Sequence, residues 1–225
     1  MRLNADFGRR AVVLPGDYEW KPSPVPGVER MMLDRIGEEV ARATSLVRYA
    51  PDSEFPAHEH GGGEEILVLE GEFADEHGTY PAGTYIRNPI GSSHSPRVGA
   101  RGCVIFVKLH QHSDSERERA VIDTRRRQWE PGPEPGLELM PLHELDGERV
   151  VLVRCAPDRE FQDRAFAGGE EILVLEGALY DDHCAYPAGS WIRNPPMEAH
   201  PFFTRETGAV IYRKTGHLGD LAGRE

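Results

Sequence analysis

The residues best suited to chemistry in this chain stand close together, in His58-Glu59-His60-Gly61-Gly62-Gly63-Glu64, ahead of residues 65–70 and a closing Gly71. Two histidines at i, i+2 on a β-strand project to one face, because side chains alternate along a strand. A glycine turn then brings Glu64 to the head of the apolar run Ile66-Leu67-Val68-Leu69. A third imidazole follows in Pro89-Ile90-Gly91-Ser92-Ser93-His94. Three imidazoles and one carboxylate drawn from neighbouring strands make a donor set for a divalent metal. A lone HxH is commonplace. HxHxxxE, followed by six residues and a glycine and later by a glycine–proline–glycine–histidine stretch, is a far more specific pattern.

These stretches resemble the two motifs of the cupins. GGEEILVLEG, DEHG, YPAGTYIRNP and GSSH are similar to the ChrR-type cupin family in particular. The resemblance implies an all-β fold of double-stranded β-helix (jelly-roll) barrels, with one metal held at the positions of His58, His60, Glu64 and His94. Two edge positions depart from the general pattern: Asp52 replaces a glycine and Val98 an asparagine. Neither is a ligand, so the departures concern loop shape.

The elements that must position these residues occur twice. Residues 47–108 align without a gap on 153–214, with Val47 on Val153, and roughly half of the aligned positions are identical, as in a duplicated domain. GGEEILVLEG stands at 62–71 and 168–177, YPAG at 80–83 and 186–189, IRNP at 86–89 and 192–195. Upstream the register shifts by three: the Trp20-x-Pro22-x-Pro24-x-Pro26-Gly27 arm is answered from Trp129, and Ala11-Val12-Val13 by Ala120-Val121-Ile122. Each repeat is therefore expected to carry its own leading strand, a Pro-rich arm and a barrel. The expected domains are 1–110, with the metal site, and 111–225, a degenerate copy, joined in the polar run 109–119, where 113–120 reads as a solvated linker rather than a helical turn. Short β-branched runs at 12–14, 28–33, 41–49, 65–70, 84–87 and 103–108 read as strands. The Pro-rich arms cannot enter a central strand and should lie over the barrels, anchored by Trp20 and Trp129.

The second copy sorts the residues of the first. His58 becomes Arg164 and His60 becomes Phe166, whereas Glu64 and His94 persist as Glu170 and His200. Arg and Phe do not ligate metals, so one equivalent per chain is expected, with Arg164 pairing with Glu170 in place of the ion. Residues retained in both copies are read as serving the fold: Asp75 and His77 at a hairpin tip, and Arg87-Asn88-Pro89 and Arg48 as surface pairing and turns. The second HxH, His110 and His112, lies in the polar join without a carboxylate at the right spacing. Alternation nominates Ile66, Val68, Phe73, Tyr85 and Phe106 as an inward apolar lining for a small-molecule ligand.

The chain has 225 residues, a formal net charge of −12 and three cysteines without CxxC spacing. The acidic balance argues against nucleic acid or an anionic membrane surface as partner. The start, MRLNADFGRR, shows no apolar signal region, and the unpaired cysteine count suits a cytoplasmic setting. Zinc with four protein ligands would suit a structural or sensing role, whereas octahedral iron, manganese or nickel would keep two positions open. The family resemblance implies zinc and a regulatory setting. The family's helical anti-sigma segment and its CxxC have no counterpart here, so sigma-factor binding is not carried over. The expected function is thus a zinc- or other divalent-metal-binding, sensor-type bicupin. The alternative is a mononuclear non-haem metal dioxygenase cleaving a diketone or hydroxyketone. Exposed edge strands would allow homodimer formation.

Overall fold

The computed structural model describes residues 1–162, 165–219 and 221. It is nearly all strand, and the chain divides into two compact units: 1–5 with 19–127, and 6–18 with 128–225. Each unit is built on one antiparallel sheet, of nine strands in the first and eight in the second. The elements expected from alternation are all present, several of them longer than the apolar run that marks them, as with Glu64–Asp75 and Arg97–Leu109.

In the first unit the order is Arg2–Leu3, Val28–Gly37, Ala41–Tyr49, Arg97–Leu109, Glu64–Asp75, Thr84–Asn88 and Ala120–Asp123. The second repeats it from the second member on, with Glu130–Pro131, the counterpart of Lys21–Pro22, at the edge: Glu130–Pro131, Leu137–Leu145, Glu148–Cys155, Ala209–Thr215, Glu170–Tyr180, Trp191–Asn194 and Ala11–Val13. The last member of each list corrects the expectation that each repeat keeps its own leading strand. Ala120–Asp123, which leads the second repeat, pairs with Thr84–Asn88, and Ala11–Val13, which leads the first, pairs with Trp191–Asn194. The sequence repeats 1–110 and 111–225 and the compact units therefore differ by an exchange of leading strands. The two strands are similar enough (AVV against AVI) that local sequence carries no preference for either edge.

The interior of the first barrel is formed by Val28, Val47, Ile66, Val68, Phe73, Ile86, Val98, Ile105 and Val107, among others. Ile66, Val68 and Phe73 point inward as alternation requires. Tyr85 and Phe106 do not: both are buried, but on the other face, because the inward set on their strands is Ile86 and then Cys103, Ile105 and Val107. The Pro-rich arms lie at the sheet edge, where Lys21–Pro22 pairs with Val28–Gly37. Trp20 stacks on Arg48 at 4.4 Å and Trp129 on Arg154 at 4.1 Å.

The glycines after GGEEILVLE explain themselves sterically. Gly71 has φ +70°, and a Cβ there would stand 2.1 Å from the Gly102 carbonyl oxygen; Gly177 (φ +67°) repeats this against Gly208. Backbone crosses backbone where a side chain has no room. Cys103 and Cys155 are free thiols buried in the two cores, and burial pushes both up to about 12, so they are inert packing groups. No helix among the described residues is long and apolar enough to cross a membrane.

Candidate metal centre

The four residues singled out by spacing converge. His58–Glu59 and Ser93–His94 form a separate two-stranded ladder in which His58 and His94 are register partners. The intervening loop is tied down at His60, whose N–H donates to the Ser92 carbonyl (2.8 Å) and whose carbonyl accepts from Gly91 (2.9 Å) and Gly63 (3.2 Å). Gly63, at φ +76°, turns the chain so that Glu64 enters the sheet beside His60. One ligand atom from each of His58, His60, Glu64 and His94 then lies within 4.8 Å of all the others. The imidazole centroids are 4.7 to 5.0 Å apart.

The orientation of the rings is set from behind. His58 Nδ1 lies 2.9 Å from the Pro56 carbonyl oxygen, and His94 Nδ1 lies 3.3 Å from Asp75 Oδ2. Both acceptors require the proton on Nδ1, which leaves the Nε2 lone pair for the cluster. His60 Nε2 and His94 Nε2 stand 3.3 and 3.4 Å from Glu64 Oε2, yet among the described residues neither makes a hydrogen bond, although both are buried. Buried polar atoms are normally satisfied. Two buried nitrogens without hydrogen bonds facing one carboxylate oxygen could accommodate a cation, and the donor set of nitrogen and oxygen suits a divalent transition metal.

The electrostatics agree. Burial, reinforced by His94, His58, His112 and His110, pushes His60 down to about 3, and burial also lowers His94 against the pull of Asp75. Both rings are neutral at physiological pH and can ligate. Burial raises Glu64 to about 7, only partly offset by the hydrogen bond from Asn88. A carboxylate costly to ionise by itself is stabilised by a cation beside it. His58 is the least buried of the four, so the centre is covered on the His60, Glu64 and His94 sides and approached past His58, beside Phe55 at 5.0 Å.

Several supporting residues escaped the sequence reading. Asn88 is buried and its Nδ2 donates to Glu64 Oε2 at 3.0 Å. Arg87, read as surface pairing, is 1% exposed. Its guanidinium donates to Glu65 (2.9 Å) and to both carboxylate oxygens of Glu116 (2.6 and 2.5 Å). Glu65 does face away from Glu64, as alternation requires, and there it meets Arg87 and Tyr85. Asp75 is more than a hairpin residue: Oδ1 accepts from the backbone of His77 and Gly78, while Oδ2 faces His94. The run at 109–119 is solvated only in part: Asp114, Ser115, Arg117, Glu118 and Arg119 are exposed, but other members turn inward. Glu116 and the His112 side chain are buried, and His110 and His112 pack against Gly62 and Gly63, where a Cβ would collide with their rings. Identity between the repeats hid these roles, because a residue kept in both copies reads as serving the fold.

In the second unit Glu170 and Asn194 keep their hydrogen bond, at 3.0 Å. His200 Nε2 lies 3.4 Å from Glu198, and Phe166 stands in the position of His60. Arg164, expected to pair with Glu170, lies outside the described residues. Among the described residues the cation acting on Glu170 is Arg213: burial raises this carboxyl, and Arg213 and then Asn194 counter it. Arg213 is the counterpart of Val107, an inward position of the first barrel. The guanidinium stands 5.5 Å from the Phe166 ring, in a small cavity with Glu170 and His200. The substitution of Val107 by Arg213 was available in the aligned repeats and was the signal for this inward charge.

A groove of about 930 Å³ in the first unit lies elsewhere, between the Pro-rich arm and Arg48, Tyr49, Gly71 and Arg101. A corresponding groove of about 590 Å³ in the second unit is lined by Arg154, Cys155 and Gly177. Its presence in both copies separates it from the metal-type constellation, which only one copy has.

Comparison with solved structures places the fold among known ones. A putative dioxygenase from Nostoc punctiforme PCC 73102 matches with TM-score 0.78 and 14% identity over 96% of this chain and 85% of its own. The oxalate decarboxylase of Lactobacillus farciminis, solved as a formate complex, matches with TM-score 0.67 and 9% identity over 97% and 90%. The pirin YhhW of Escherichia coli, solved with nickel(II), matches with TM-score 0.65 and 12% identity over 92% and 99%. At such identities the likeness concerns the fold of tandem cupin barrels. No curated protein matches. The ChrR cupin-like domain model matches residues 8–113 and again 117–219. With both repeats matched over nearly their whole length, the chain belongs to the ChrR cupin-like family.

Proposed function

We propose that the first barrel binds one divalent metal through His58, His60, Glu64 and His94, and that the protein is a metal-binding regulatory or sensor-type bicupin whose metal takes up a small chelating ligand. The observation carrying this reading is the pair of buried Nε2 atoms of His60 and His94 beside Glu64 Oε2, neither of which makes a hydrogen bond among the described residues. The second barrel lacks two of the four donors and carries Arg213 near Glu170, so its contribution is structural and one ion per chain is expected. When bound, the ion supplies a Lewis-acidic position for an oxygen-bearing ligand. The chain's own residues do the rest: Pro56 and Asp75 fix the two ring tautomers, Asn88 holds Glu64, and the apolar wall of Phe73 and Val98 keeps bulk water from the inner side.

Zinc is the metal the family resemblance implies. The second reading, a mononuclear iron dioxygenase, is favoured by the approach past the half-buried His58, since six-coordinate iron on four protein ligands keeps two exchangeable positions. One preparation separates the two. The chain is purified without chelator or affinity-tag metal, its metal content measured by elemental analysis, and oxygen uptake followed after adding Fe(II) and a panel of β-diketones. Stoichiometric zinc without uptake supports the binding protein; turnover with iron supports the enzyme. Retention of no metal by the wild-type chain under any loading condition overturns both.

A further inference from the structure

Arg119 belongs, by position in the sequence, to the polar join that leads into the second repeat. In the structure it reaches the first barrel together with the exchanged strand Ala120–Asp123. Its Nε donates to Asn88 Oδ1 at 2.9 Å, and its Nη2 lies 2.7 Å from Tyr80 Oη and 3.4 Å from Asp75 Oδ2. Asn88 spends its other amide atom on Glu64, and Asp75 Oδ2 faces His94 Nδ1. One guanidinium thus holds both groups that orient two of the four candidate ligands. Tyr80 Oη donates to Asp75 Oδ1 at 2.8 Å and closes the network.

We infer that Arg119 is a positioning residue for the metal centre, acting through Asn88 on Glu64 and through Asp75 on His94, and that the leading strand of the second repeat thereby completes the site of the first. The inference rests on the metal reading above. Its physical basis is the planar fork of arginine, which presents donors at fixed angles to two acceptors at once. Docking the fork on Asn88 Oδ1 dictates the amide orientation, so that Nδ2 must point at Glu64. Its Nη2 beside Asp75 Oδ2 holds that oxygen in place as the acceptor facing His94 Nδ1, which commits Nε2 to the cluster.

The second unit carries an internal control. Arg10, at the same place before the other exchanged strand, donates to Asn194 Oδ1 (3.1 Å), Asp181 Oδ2 (3.1 Å) and Tyr186 Oη (3.0 Å). The fork, the asparagine, the aspartate and the tyrosine are all repeated, and Asn194 holds Glu170 as Asn88 holds Glu64. The fastening of the exchanged strand is therefore common to both barrels, whereas the step from fastening to ligand orientation matters only where four ligands exist.

The test uses the full chain as wild type, Arg119→Gln, Arg119→Lys and Arg10→Gln. Each is titrated with Co(II) and read by its visible d–d absorption, with zinc affinity measured by chelator competition and thermal midpoint recorded alongside. Arg119→Gln is expected to lose about 10–100-fold in zinc affinity and to alter the Co(II) bands. Arg119→Lys keeps the charge and one donor direction, so it is expected to recover part of the affinity; it also provides the reading if Arg119→Gln does not fold. Arg10→Gln is expected to lower the thermal midpoint while leaving affinity and spectrum unchanged. Wild-type affinity and spectrum in both Arg119 variants would overturn the inference, as would an equal loss in Arg10→Gln, which would mark the effect as general loosening. A wild-type chain that binds neither ion overturns the metal reading itself and is recognised before any variant is compared.

Discussion

His58 and His94 face one another as register partners across a ladder only two residues long on each side, so the metal-type constellation hangs on a short pairing outside the main sheet. His60 and Glu64, by contrast, are locked to the loop backbone and the long strand Glu64–Asp75. The centre is thus assembled from one rigid half and one half that depends on local pairing.

Removing a ligand from either half should cost more than disturbing an orienting residue, whose loss typically weakens metal affinity about 10–100-fold. His94→Ala is expected to abolish stoichiometric metal retention, and His200→Ala to leave it unchanged. Elemental analysis after dialysis checks both. Loss of metal in the His200 variant would move the site to the wrong barrel.

The charge of Arg213 acting on buried Glu170 predicts a pH-dependent defect. Burial raises the Glu170 carboxyl above its ordinary value and Arg213 opposes that rise. An acid whose folded pKa is raised loses stability as pH climbs from its unfolded value, about 4.5, through the folded one. Arg213→Met raises the folded value further, so the variant's deficit against wild type should grow between about pH 4.5 and pH 8. Denaturant unfolding at the two ends measures it. A deficit of one size at both pH values would show that Arg213 acts by packing alone.

Asp181 behaves in the opposite sense. Burial works against its ionisation, but hydrogen bonds from Tyr186, the His183 and Cys184 backbone and Arg10 hold it down at about 2. Its contribution is complete above about pH 4 and is lost as pH falls through about 2. The stability gap between wild type and Asp181→Asn should therefore close on acidification from about pH 4 to pH 2. Unfolding curves across that window decide the matter, and a gap that stays open would assign the residue a neutral role.

Gly71→Ala should be worse than an ordinary left-handed substitution. The strain of a non-glycine residue at positive φ costs on the order of 1 kcal/mol. At Gly71 the new Cβ also meets the Gly102 carbonyl oxygen at 2.1 Å, whereas at Gly91 (φ +81°) nothing lies within 4 Å. Calorimetry should show Gly71→Ala lowering the thermal midpoint well beyond Gly91→Ala. Equal shifts would mean that the crossing strands separate easily.

Much of the candidate centre was legible in the residues themselves. HxHxxxE on an alternating strand, with a histidine after a second glycine-rich turn, names four side chains that can meet, because spacing and strand period are local properties. The duplication was equally plain, and with it the loss of His58 and His60 as Arg164 and Phe166. What the tertiary structure decided is everything that depends on partners distant in sequence. Two nearly identical leading strands can dock on either of two nearly identical edges, and nothing local distinguishes Ala11–Val13 from Ala120–Asp123. Arg87 and Asn88 look like turn residues until Glu116 and Glu64, from other segments, are brought to them. Arg119 reads as linker charge until the exchanged strand delivers it to Asn88 and Asp75. The donor types were written in one dimension; their orientation required the long-range pairings that only the folded chain supplies.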